Sequence, residues 1–189
     1  MSKITEPELM NRLTEVFRTH GYEGASLSKI SEATGLKRAS LYHRFPGGKA
    51  EMAEAVLSRA GEWLATNALA PLGRSGPPED RLRMMAEKLD TFYEGGRRSC
   101  LLDALSFGID EGGIRDHQRV GMEAWIEAIA TMLKESGIPD QTARERAEDA
   151  LIRIQGGLVM ARVKGDPLPF QRTLKNLPTD LLRQPEPIA

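Results

Sequence analysis

Residues 26–49 read SLSKISEATGLKRASLYHRFPGGK. Ser26 can cap a helix by accepting hydrogen bonds from backbone N–H groups that lack partners in the first turn, and Leu27, Ile30 and Ala33 then give that helix an apolar stripe. Gly35 ends it. Leu36 opens a second helix in which Leu41 and Phe45, four apart, turn inward and leave Lys37, Arg38, Ser40 and His43 outward. Pro46, Gly47 and Gly48 stop that helix, and Lys49 stands at the start of the next. Two helices joined by a tight turn, the second carrying cations, form a helix-turn-helix, which lays its second helix in the major groove of DNA.

The pattern outside this stretch is helical almost throughout. Leu9, Leu13, Val16 and Phe17 predict an amphipathic helix over residues 6–20, with Pro7 tolerated in its opening turn and Gly21 ending it. Residues 49–69 predict a long helix with Met52, Val56, Leu57, Ala60 and Leu64 inward, stopping at Pro71. The loop GRSGPP at 73–78 is the clearest break. Helices are then expected over 79–93, 101–107, 114–135, 140–164 and 170–176, and the prolines of 178–189 predict a loosely held tail. The fold expected is all-α, with about nine helices. The first three form a helix-turn-helix head, so residues 1–48 are expected to be a DNA-binding domain and 49–189 a helical effector-binding and dimerisation domain.

Charge agrees with that division. The 189 residues carry a net charge of −1, yet residues 1–49 hold eight Lys and Arg against five Glu, or +3, which leaves −4 for the remainder. A basic head on a mildly acidic body suits a protein whose head meets phosphate. A single cysteine excludes a disulfide within the chain. No cleaved signal or membrane-spanning apolar run is evident, so the cytoplasm is the expected compartment and no membrane partner is expected.

The head resembles the TetR family of bacterial transcription regulators, in a pattern that runs from Phe17 through Gly21, Tyr22, Ser26, Ile30, Gly35, Leu41, Tyr42, His43 and Phe45 to Lys49. The FPGGK ending and the residues to Val56 look most like the LmrA and YxaF branch, regulators of drug-resistance genes. The resemblance implies that Tyr42 hydrogen-bonds a DNA phosphate, a contact that positions the protein without reading sequence. Lys49, at a helix start, adds a cation where phosphate is favoured. Ser26 and Ser28 offer hydroxyl and backbone donors to phosphate in the same way, and Ser26 can serve as a helix cap besides. Base reading falls to Lys37, Arg38, Ala39, Ser40 and His43. Arg38 leads, because its planar fork matches guanine O6 and N7. Lys37 stands where the family usually has a small hydroxyl residue and Ala39 where it often has glycine. Arg44 is open between phosphate and solvent.

The family binds DNA as dimers, because one short recognition helix reads too few base pairs, whereas a twofold dimer reads two half-sites of a palindromic operator about 34–36 Å apart. The resemblance places the dimer interface on the last two helices. Leu151, Ile154, Leu158 and Ala161 share one face of the longer helix, Gly156 and Gly157 suit a close crossing, and Phe170 and Leu174 lie on the shorter helix. Packing within the chain is the alternative for these residues. A small apolar effector is expected among Trp63, Met84, Met85, Phe92, Leu105, Phe107, Met122 and Trp125, large or adaptable groups on the helices of the body. Ordinary core packing is the alternative here too. Cys100, near Arg97 and Arg98, reads either as a buried structural thiol or as a redox-sensitive one.

The chain therefore reads as a ligand-responsive transcriptional regulator, most simply a repressor that an effector releases from its operator. A structural helix-turn-helix protein without an effector is the alternative, and its affinity would fall with salt on all DNA alike. A helical enzyme with an incidental three-helix head is the remote alternative, since there is no HExxH, di-iron ExxH pair, P-loop or GxSxG, and His20, His43 and His117 are scattered. No cofactor and no metal are expected.

Overall fold

A computed structural model describes residues 4–106 and 113–183. Among these residues there are nine α-helices and no strand. They are α1 (Glu6–Gly24), α2 (Leu27–Thr34), α3 (Arg38–Arg44), α4 (Gly48–Leu64), α5 (Pro78–Phe92), α6 (Leu101–Ala104), α7 (Ile114–Glu135), α8 (Asp140–Lys164) and α9 (Leu168–Leu182). The chain forms two compact units: residues up to Gly61 with Ser99–Val120, and Glu62–Arg98 with Gly121 onward.

The first unit gathers one core from short helices. Leu9, Leu13 and Phe17 of α1, Ile30 of α2, Leu41 of α3 and Met52 of α4 are fully buried together, and Leu101 and Leu105 close the cluster. The helix ends follow local chemistry. The Thr5 hydroxyl caps α1 by accepting from Glu8 N at 3.4 Å, the Ser26 hydroxyl caps α2 by accepting from Lys29 N at 3.3 Å, and Gly35 ends α2 in the left-handed conformation. At Gly21 the backbone leaves helical geometry, so the first helical run ends there as expected and a short second run follows it within α1. Its φ of 64° favours glycine, and a Cβ there would lie 3.0 Å from the carbonyl oxygen of Ala104, so both conformation and space call for glycine.

The second unit packs α9 against both α5 and α8. Leu82, Met85 and Leu89 of α5, Ile129 and Leu133 of α7, Ile154 of α8 and Phe170 of α9 are among its buried side chains. Arg81 is also buried, and it donates to the Leu72 carbonyl at 2.8 Å and to Glu135 at 3.0 Å.

Three expected elements differ from the sequence reading. The helix from residue 49 is regular only to Leu64, after which Ala65–Leu69 widens to a π-turn and Ala70–Gly73 tightens to 3₁₀. Pro71 lacks an N–H and crowds the carbonyl four residues before it, so the regular register cannot reach it. The first described stretch after Cys100 is helical only over Leu101–Ala104, and its expected end at Phe107 lies outside the described residues. The last helix is longer than expected and passes through Pro178 to Leu182. Leu177, Pro178 and Leu181 are all buried, and that burial offsets the one backbone bond that the proline removes.

Candidate nucleic-acid interface

The turn between α2 and α3 is fixed by its own hydroxyls. Ser31 Oγ donates to the Leu36 carbonyl, Thr34 Oγ1 donates to the Ile30 carbonyl at 2.7 Å, and the same Thr34 oxygen accepts from Leu36 N at 3.3 Å. Arg12 braces α1 to the end of α2, donating to the Ala33 carbonyl at 3.0 Å while pairing with Glu8. With Leu41 and Phe45 buried, α3 has one face for the core and one for solvent. Lys37, Arg38, Ala39, Ser40, Tyr42 and His43 are all exposed on the second.

These residues differ in how they are held. Arg38 begins α3, and its Nη2 donates to Ser28 Oγ on α2 at 2.8 Å. Arg44, whose role the sequence left open, pairs with Glu6 at 2.8 Å and ties the end of α3 to the start of α1. Tyr42 is 46 % exposed, and its ring lies over Gly48, where a Cβ would come within 3.3 Å of the ring edge. Gly48 has a φ of 68°, so both its conformation and the ring above it call for glycine.

Lys49 is half-buried. Its ammonium sits 4.1 Å above the centre of the Tyr22 ring and donates to the Tyr22 carbonyl at 3.1 Å, so one cation joins the start of α4 to the end of α1. An ammonium has three donors, which leaves two for other acceptors. Glu51 accepts from Gly47 N at 2.7 Å and secures the turn before α4. The exposed Ser26 and Ser28 stand at the start of α2 on the same part of the head.

The residues expected to bind an effector are dispersed. Trp63 stacks on Phe92 with ring centres 4.8 Å apart, Phe92 meets Tyr93 edge-on at 4.9 Å, and Tyr93 meets Phe170 at 5.7 Å. Met85 and Trp125 are buried, Met84 is half-buried and Met122 is exposed. Leu105 instead belongs to the core of the first unit, and Phe107 lies outside the described residues. Cys100 is buried immediately before α6.

The expected interface residues divide between burial within the chain and exposure. Leu151, Ile154, Gly157, Leu158, Ala161, Phe170 and Leu174 are buried within the single chain, and of that set only Gly156 is exposed. The reason is the close approach of α8 to α9, where a Cβ on Gly157 would lie 3.2 Å from Phe170 Cα and 3.1 Å from Thr173 Oγ1. The opposite face of α8 exposes Ile152, Val159, Met160 and Val163. With Gly156 these fall at i, i+4, i+7, i+8 and i+11, a helical stripe the sequence already contained. Among the described residues no cluster of His, Cys, Asp and Glu is arranged to hold a metal ion, and no helix is long and apolar enough to cross a membrane.

Comparison with known proteins places this geometry. Residues 9–56 match the model of bacterial regulatory proteins of the tetR family, and residues 78–176 match the C-terminal domain of LmrA/YxaF-like transcriptional regulators. The HTH-type transcriptional regulator LmrA of Bacillus subtilis is 20% identical over 186 residues, covering 94% of this chain and 96% of LmrA. An uncharacterised HTH-type regulator of Mycobacterium tuberculosis, Rv0196, is 25% identical over 179 residues, covering 86% of this chain and 88% of its own. A TetR regulator from Legionella pneumophila has a similar fold, with a TM-score of 0.80 at 20% identity over 95% of this chain and 98% of the other. CifR, solved with 26-bp operator DNA, superposes with a TM-score of 0.78 at 19% identity over 95% of this chain and 98% of its own. The chain belongs to the TetR family of bacterial transcription regulators, a family of DNA-binding proteins and not of enzymes, in its LmrA/YxaF-like branch.

Proposed function

We propose that this regulator is a dimeric repressor that reads a palindromic operator and is released from it by a small apolar ligand. The observation that carries the reading is the outer face of α3, where Lys37, Arg38, Ala39, Ser40 and His43 are exposed side by side on a helix whose other face is locked into the core. Tyr42 and Lys49 flank that face and set its register on the phosphates. Residues 1–48 act as the DNA-binding part and 49–189 as the effector-binding and dimerising part, working in the cytoplasm.

The dimer forms through the outer stripe of α8, Ile152, Gly156, Val159, Met160 and Val163, in place of the face that α9 already covers. A contiguous exposed apolar stripe on a folded domain marks an interaction surface, and a twofold axis through it makes one stripe serve both partners. The effector sits among the aromatic and methionine side chains of the second unit, with Trp63, Phe92 and Trp125 as its largest groups. Release requires the ligand to bind the DNA-incompetent form more tightly, since equal affinity for both forms shifts nothing.

The test is selection of bound fragments from randomised and genomic DNA at about 150 mM salt, where screening acts over about 8 Å, with a Tyr42→Phe, Arg38→Ala double variant alongside. A twofold-symmetric site recovered by the wild type alone is the expected result. Equal recovery of all sequences overturns the reading in favour of a structural DNA-binding protein.

A further inference from the structure

Ser28 and Arg38 are ten residues apart in sequence, on different helices, and their side chains meet: Arg38 Nη2 donates to Ser28 Oγ at 2.8 Å. Both residues are exposed. The fold does not depend on this bond. The turn between α2 and α3 is already secured by Ser31 and Thr34, and the two helices are anchored by buried Ile30 and Leu41. An exposed hydrogen bond between two polar side chains adds little to stability, because water competes for both partners.

Its effect falls on the guanidinium. Arginine carries among the largest rotamer entropies of any side chain, and pairing with guanine O6 and N7 requires its plane to lie in line with the base edge. One N–H given to Ser28 leaves four donors in the rigid fork, still enough for a bidentate contact. Ser28 accepts in this bond, which is made inside the head before any DNA arrives and does not use the hydroxyl's own donor.

We propose that Ser28 is a positioning residue for sequence specificity: its hydroxyl holds the Arg38 guanidinium in the orientation that reads one guanine in each half-site. The proposal rests on the reading above that α3 contacts bases, and it assigns Ser28 a part in base preference where the sequence suggested a phosphate contact. A phosphate contact and an orienting contact have different signatures. The first supports binding to every sequence equally, and the second supports only the sequence that Arg38 reads.

The experiment uses the full chain and a duplex selected by the wild type from a randomised library. Affinity at about 150 mM salt is measured for that duplex, for versions with each guanine–cytosine pair replaced in both half-sites, and for an unrelated duplex. The proteins are wild type, Ser28→Ala, Ser28→Thr, Arg38→Ala and the Ser28→Ala, Arg38→Ala double variant, each checked by thermal melting. Arg38→Ala is expected to flatten the preference at one guanine position by about 5- to 100-fold per half-site. Ser28→Ala is expected to lower the preference at that same position by about 3- to 10-fold, with the unrelated duplex bound as before. Ser28→Thr keeps the hydroxyl and the preference, and adding Ser28→Ala to Arg38→Ala changes nothing further.

A Ser28→Ala variant that binds every duplex more weakly by one common factor overturns the proposal, as does one with full preference while Arg38→Ala has lost it. If Arg38→Ala itself keeps the wild-type preference, base reading by Arg38 fails and the proposal with it, whereas a wild type that selects no site removes base reading by α3 as a whole. The two failures are thereby distinct.

Discussion

Gly157 and Phe170 bring α8 and α9 together backbone to backbone, since a Cβ on Gly157 would lie 3.2 Å from Phe170 Cα. A Cβ on Gly156, one residue earlier, would meet nothing within 4 Å outside its own helical turn. The two adjacent glycines therefore answer different demands. Gly157 serves the packing of one chain. Gly157→Leu is expected to lower stability by about 1–3 kcal/mol through overpacking, read as an earlier urea midpoint.

Gly156→Leu should leave the stability of the single chain unchanged or slightly raised, because leucine forms helix better than glycine by about 1 kcal/mol. Its cost is expected in self-association, where a larger side chain holds two α8 helices apart. Sedimentation equilibrium across a concentration series separates the two effects.

The exposed stripe gives a sharper test of the dimer. Val163 is 76 % exposed in the single chain and Ile152 66 %, so Ile152→Glu with Val163→Glu should barely alter the folding of one chain. The same pair of charges buried in a dimer loses its hydration. The double variant is expected to be a folded monomer by light scattering, and a stable dimer would exclude this face of α8 as the interface.

Tyr42 and Lys49 should separate in one set of measurements. Tyr42→Phe removes a hydroxyl from an exposed ring, so stability should move by less than about 0.5 kcal/mol while operator and unrelated DNA both bind more weakly. Lys49→Met removes its bond and ring contact to Tyr22 and should cost about 1 kcal/mol of stability. In a dimer it should also reduce the slope of log affinity against log salt by about 2, one for each chain. An unchanged slope would confine Lys49 to its internal role.

Arg81 tests the second unit alone. Its side chain is 7 % exposed and donates to the Leu72 carbonyl and to Glu135. Arg81→Leu leaves that carbonyl without its guanidinium donor, for an expected loss of about 1–3 kcal/mol, measured as a fall in the thermal midpoint of the protein without DNA.

At alkaline pH the pair of Lys134 and Asp140 gives a signed expectation. The amine is 3.1 Å from the carboxylate, and that hydrogen bond, with the attraction of Asp140 and Glu127, holds the lysine above its ordinary 10.5. A folded-state value raised above the unfolded one stabilises while the amine is protonated in both states, and this is lost as pH rises through the folded value. The difference in urea midpoint between wild type and Lys134→Met should therefore be present at neutral pH and shrink above the ordinary lysine range.

Local chemistry alone determined the head and most helix boundaries. Ser26 as a cap, Gly35 in the left-handed turn and the inward Leu41 and Phe45 involve bonds and periodicities within a few residues, and α7 and α8 begin and end where glycine and proline predict. Tertiary structure decided whatever required a choice between equivalent local options. Along α8 two apolar stripes both follow the helical period, and the approach of Phe170 to Gly157 selects which is buried and leaves Ile152 and Val163 outside. Pro178 obeys the burial of α9 over the local rule that a proline ends a helix. Ser28 meets Arg38 only because α2 and α3 fold back across their turn. Hydrogen bonds within a turn of helix are written in neighbouring residues, whereas the side a helix hides depends on the surface that comes to meet it.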